Sequence, residues 1–249
     1  MREAEDGILE DSRRVFREKL ERFRQNCSGS DPELYYRGLL ERAERTPKDL
    51  WRGSGKLSAE EGLSERIAPL PEGLFPVVVA GGSFNNSQHR TQVRPEDRAF
   101  IDALLQRADP ARLYFVVGHS LSGQEGYLVR QAAGRFRVFA IVPSQITRAE
   151  QARLTEAGVG VRVSIESSAM GLYKSFAYEI FKRVPSALLA FDGNSAALNL
   201  IQEARNGRMK CRIYISPRSR GLTEKARLLE GYVRPLKDPE EVLRDCPQG

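Results

Sequence analysis

Six short apolar runs, each followed by a segment of helical periodicity, dominate the chain from Pro76 to Ile215. The runs are Val77–Ala80, Leu113–Val117, Arg137–Val142, Val159–Ile165, Ser186–Phe191 and Cys211–Ile215. Most are rich in β-branched and aromatic residues and do not alternate with polar ones, the pattern of strands covered on both faces. Between them, apolar residues recur at helical spacings. Phe100, Ile101, Leu104 and Leu105 mark a helix from about Pro95 to Ala108. The same reading predicts helices over 125–133, 147–156, 169–183 and 195–206. Strand and helix in strict alternation predict an α/β fold, a doubly wound, mostly parallel, Rossmann-like sheet. Right-handed crossovers then bring every strand-to-helix loop to one edge, where such sheets bind ligands.

Ahead of this domain the pattern is different. Leu9, Phe16, Leu20 and Phe23 predict an amphipathic helix over 8–25, and Asp31-Pro32 opens a second one through about Arg45. A stretch rich in Gly, Ser and Pro leads on to Pro76. Three parts follow: a helical N-terminal arm and linker over 1–70, a Rossmann-like nucleotide-binding domain over 71–235, and a polar tail over 236–249. The arm reads as a helical appendage or a subunit contact of a homo-oligomer, or its helices pack across the sheet as core cover. Gly53-Ser-Gly-Lys56 imitates the end of a P-loop, but Leu50 stands where that loop's first Gly belongs and Leu57 where Ser or Thr belongs.

Composition narrows the class. No apolar run approaches the roughly 20 residues of a membrane span, and the charged Met1–Asp6 segment carries no apolar signal core. Cys27, Cys211 and Cys246 are odd in number and widely spaced, which implies neither a disulfide framework nor a metal site. A cytoplasmic protein without membrane, metal or cofactor is expected. The net charge of +6 is concentrated: residues 210–237 hold eight basic side chains against two acidic ones. Arg212, Arg218, Arg220 and Lys225, with Tyr214 and Tyr232 to stack on bases, give an alternative reading as a single-stranded nucleic-acid interface.

The loops at the predicted ligand edge carry the candidate chemistry. The second, Gly118-His-Ser-Leu-Ser-Gly-Gln-Glu125, joins a strand to a helix through two glycines, which permits a tight turn and close approach of backbone N–H groups to an anion. Gly118, Ser120, Ser122 and Gly123 are its candidate ligand contacts. Gly81, Gly82 and Ser83 open the first loop, and Asp192, Asn194 and Ser195 form the fifth. Glu125, His119 and Glu166 are the candidate catalytic groups, because a carboxylate beside a ribose can serve as base, nucleophile or stabiliser when an N-glycosidic bond breaks. A nucleotide-like small molecule is the expected partner.

Read in order, these loops resemble the SLOG superfamily, the Rossmann-like group that includes the Lonely Guy phosphoribohydrolases and the DNA-processing-A proteins. The resemblance covers about Val77 to Ile215 and rests on Gly81-Gly-Ser83, on Gly118–Glu125, on Arg137–Val142 with Pro143, and on the segment from Phe176 to Ser195. It implies nucleotide binding at the strand ends, as a sensor or as an N-glycosidic hydrolase, or single-stranded DNA binding of the DNA-processing-A type. The Lonely Guy signature Pro-Gly-Gly-x-Gly-Thr-x-x-Glu does not occur; Gly118, Gly123 and Glu125 keep its glycine–glutamate spacing only in part. A nucleoside deoxyribosyltransferase-like activity is a further alternative, which needs a catalytic Glu in the middle of the chain, near where Glu125 stands.

Overall fold

The computed structural model describes residues 56–81, 93–163, 180–192, 195–205, 210–219, 222 and 233–247. They contain the strands β1 (Lys56–Ser58), β2 (Phe75–Ala80), β3 (Leu113–Gly118), β4 (Val138–Val142), β5 (Gln145–Thr147), β6 (Gly160–Val163), β7 (Ser186–Ala190), β8 (Cys211–Ile215) and β9 (Val233–Pro235). The helices are α1 (Ala59–Gly62), α2 (Pro95–Arg107), α3 (Gly123–Ala132), α4 (Arg148–Ala157), α5 (Ser195–Arg205) and α6 (Pro239–Arg244).

Seven strands form one parallel sheet in the order β6-β4-β3-β2-β7-β8-β9. The chain lays β2, β3, β4 and β6 outward in one direction and then returns to place β7 on the other side of β2. The order therefore reverses between β2 and β7, and this is the switch point at which open α/β sheets hold ligands. Alternate residues of each strand feed two cores. Val77, Val79, Phe115 and Val117 share one with Ile101 and Leu104 of α2, Leu128 of α3 and Leu154 of α4. Val78, Ala80, Val116 and Leu188 share the other with Leu200, Ile201 and Ala204 of α5. The architecture is the doubly wound α/β sheet that the alternation of runs predicts.

Two features differ from the sequence expectation. The compact unit starts at Gly55, so the boundary placed at residue 70 falls too late. Within 56–70, β1 pairs antiparallel with β5, Ala59 and Leu63 are buried, and Ile67 bridges to Val161. The segment read as a polar tail is also packed: Leu236, Val242 and Cys246 are buried, and Tyr214 donates a hydrogen bond to the Glu241 carbonyl at 3.0 Å. Arg112 reaches the carbonyls of Cys246 and Pro247. The predicted helices over 8–25 and 31–45, and most of that over 169–183, lie outside the described residues.

No helix among the described residues is long and apolar enough to cross a membrane.

Candidate functional site

The carboxyl edge of the sheet is built around a buried glutamate. Glu125 lies in the first turn of α3, on the same side as Leu128, Val129 and Ala132, and is 4% exposed. Its Oε1 accepts the Gly81 N–H at 3.1 Å, and its Oε2 accepts the Gly118 N–H at 2.9 Å. One side chain thus ties the ends of β2 and β3 to the opening of α3. A carboxylate suits this place, since it answers two backbone donors at the positive end of a helix. The two amides that the glycine loops were expected to offer to a ligand anion are therefore held by an anion of the protein itself.

The loop between β3 and α3 is shaped by close approach. Leu121 has φ 46° and Gly123 φ 56°, both in the left-handed region, which is costly for leucine. A Cβ on Gly126 would lie 2.3 Å from the Leu121 carbonyl oxygen, so only glycine lets this turn seat against the helix. The Ser120 and Ser122 hydroxyls stand 3.2 Å apart. Ser122 is the N-cap of α3 but makes no side-chain capping hydrogen bond.

At the switch point a polar network crosses from β2 to β8. Arg94, immediately before α2, donates from Nη2 to Asp192 Oδ2 at 3.0 Å. Asp192 follows β7, and its Oδ1 accepts from Ser219 Oγ at 2.7 Å, beyond the end of β8. Next to it, Asp97 of α2 is 1% exposed and accepts from Gln124 Nε2 at 3.0 Å, with Arg218 Nη1 at 3.9 Å. Burial raises the Asp97 carboxyl above its ordinary value, against the opposing pull of Gln124, Arg94 and Arg218. Arg94 Nη1 is buried and has no hydrogen-bond partner among the described residues.

No family model matches the chain, and no curated protein matches it. The chemistry of the edge has to be read from its own residues.

Of the predicted site residues, Gly81, Gly118, Ser120, Ser122, Gly123, Glu125, His119 and Asp192 converge on this edge. Gly82, Ser83, Glu166, Asn194, Arg220 and Lys225 lie outside the described residues, and of Ser195 only its place at the start of α5 is described. Arg212 and Arg218 do not form one patch: Arg212 is at the amino end of β8 and Arg218 lies past its carboxyl end. Among the described residues no cluster of His, Cys, Asp and Glu is arranged to hold a metal ion.

Sequence reasoning passed over Arg94, Asp97 and Glu150. Two of them left a signal. Asp97 stands three, four and seven residues before Phe100, Ile101 and Leu104, a polar residue in register with an apolar stripe, and Glu150 completes the Thr147-x-x-Glu150 pattern of a capping box.

Glu150 belongs to a capping box at the start of α4. Its Oε2 accepts from Thr147 N at 2.8 Å and Thr147 Oγ1 at 2.9 Å, while Oε1 faces His119 Nε2 at 3.5 Å. The histidine first, and the threonine after it, hold this carboxyl at about 2 instead of 4.5. Because the folded value lies below the unfolded one, the contribution is complete above about pH 4.5 and is lost as the pH falls toward about 2. Glu150→Gln is expected to cost about 1–2 kcal/mol at neutral pH, after allowance for solvent screening. Urea titrations of the two proteins should converge as the pH is lowered through that window; a gap independent of pH would contradict the assignment.

Proposed function

We propose that the protein binds a nucleotide or nucleotide-derived ligand at the carboxyl edge of the sheet, in the crevice between β2 and β7, and acts in recognition. The observation that carries this reading is the convergence of Arg94, Asp192 and Arg218 where the strand order reverses, with Arg94 Nη1 buried and unpartnered among the described residues. A guanidinium nitrogen so placed suits an acceptor group of the ligand, and phosphate is the acceptor that Arg forks match best.

The placement of Glu125 favours recognition over glycosidic cleavage. A nucleophile or general base must reach the substrate, whereas both Glu125 oxygens accept backbone N–H groups inside the protein. The separation of Arg212 from Arg218 likewise gives the nucleic-acid reading little support.

A thermal-shift panel of AMP, ATP, cyclic nucleotides, NAD, ADP-ribose and short single-stranded DNA tests the proposal. A ligand at a hundred times its Kd should stabilise the wild type by about 2.7 kcal/mol, a rise of roughly 5–10 °C for a domain of this size. Arg94→Ala should fold normally and lose most of that rise. If no nucleotide shifts the wild type, the reading fails. Base or ribose product released from a bound nucleotide would replace recognition by hydrolysis, and a shift by DNA alone, abolished by salt, would replace it by strand binding.

A further inference from the structure

His119 is the first residue after β3, with its ring 17% exposed, and it carries one nitrogen that the fold explains and one that it does not. Nε2 faces Glu150 Oε1 at 3.5 Å. Glu150 cannot easily swing away, since its other oxygen is fastened by the Thr147 N–H and hydroxyl, and Thr147 Oγ1 in turn accepts the Glu150 N–H at 3.2 Å. A carboxylate only accepts, so the ring nitrogen turned to it carries a proton. In a neutral imidazole the other nitrogen is then a bare acceptor. That nitrogen, Nδ1, is buried and has no hydrogen-bond partner among the described residues. An unanswered acceptor of this kind is costly and uncommon in folded proteins.

We propose that His119 Nδ1 accepts a hydrogen bond from a hydroxyl of the bound ligand, and that Glu150 is the positioning residue that fixes the imidazole in the accepting tautomer. The proposal rests on the nucleotide reading above and adds a division of labour to it. A phosphate has no proton to give at neutral pH, so it belongs with Arg94, while a ribose hydroxyl is the donor that His119 can take. β3 and β7 stand two strand spacings apart, about 10 Å, a span that one nucleoside monophosphate covers. His119 follows β3, and Glu150 lies in the first turn of α4, beyond β4 and β5, so the pair is assembled only where these neighbouring strands end.

Two measurements test this, one of them without any ligand. The chain has two histidines, so His89→Gln leaves a single imidazole whose nitrogen resonances report the position of its proton. At about pH 8, where an ordinary imidazole is neutral, the proton should be on Nε2 and Nδ1 should be unprotonated. Glu150→Gln should turn this into a mixture of tautomers. A proton on Nδ1, or on both nitrogens, overturns the proposal. The second measurement compares AMP with its 2′,3′-dideoxy analogue on wild type and His119→Ala. The wild type should prefer AMP by about three- to tenfold, the worth of one neutral hydrogen bond. His119→Ala should lose that preference while it keeps its affinity for the dideoxy compound. An undiminished preference in His119→Ala overturns the proposal. Failure of AMP to bind the wild type tells against the nucleotide reading, and the proton's place on the ring then decides this proposal alone.

Discussion

Glu125→Ala is expected to destabilise the domain by about 3–6 kcal/mol, because each buried hydrogen bond to a charged acceptor is worth about 1.5–3 kcal/mol. The variant would leave the Gly81 and Gly118 N–H groups buried without an acceptor. It would also release the ends of β2 and β3 from the start of α3. Glu125→Gln keeps the volume and one acceptor but turns an NH2 group toward one of the two amides, so a smaller loss of about 2–3 kcal/mol is expected. Urea denaturation measures both. A Glu125→Ala protein within about 1 kcal/mol of the wild type would mean that the carboxylate does not hold the strand ends, and would bring back a reactive role for it.

The second large effect is expected at Gly126. A methyl group there would meet the Leu121 carbonyl oxygen at 2.3 Å and its carbon at 2.9 Å, both backbone atoms. Nothing flexible can yield, so either α3 lifts from the sheet or the loop from His119 to Ser122 moves. Overpacking of this kind costs about 1–3 kcal/mol, and the displacement falls on the candidate site itself. Gly126→Ala should therefore lose nucleotide binding as well as stability. Gly134→Ala is the control: it has φ 73° but nothing within 4 Å of the added carbon, so it bears backbone strain alone. Thermal shifts with and without nucleotide separate the two. Equal behaviour of the two variants would show that the loop has room to spare.

The central sheet was legible in the sequence because parallel strands are covered on both faces. Such strands read as unbroken apolar runs, and Leu113–Gly118 and Ser186–Ala190 are buried along their whole length. Weaker elements escaped for equally physical reasons. β1 and β5 have three residues each, too few for any periodicity to show. β9 and α6 hide in a charged, proline-containing segment that is held by a few apolar anchors, Leu236, Val242 and Cys246. At the candidate site, the alternation of strands and helices places the strand-to-helix loops at one edge but does not say where each side chain turns. Glu125 was legible as an acid beside a glycine loop, and its first-turn position is equally that of a buried clamp. Arg94 carries no local pattern at all; its importance comes from Asp192, which is 98 residues away in the chain.

The strand order also bears on how the chain is made. β2 is the first strand of the parallel sheet to leave the ribosome, and it ends up near the middle. Its partner on one side, β3, follows soon after, but on the other side Val77–Ala80 pair with Ala187–Ala190. Until that late segment has been synthesised, β2 offers an open, wholly apolar edge to any other strand it meets. The same strand order thus leaves the nascent protein exposed to misassembly while residues 81–186 are being made.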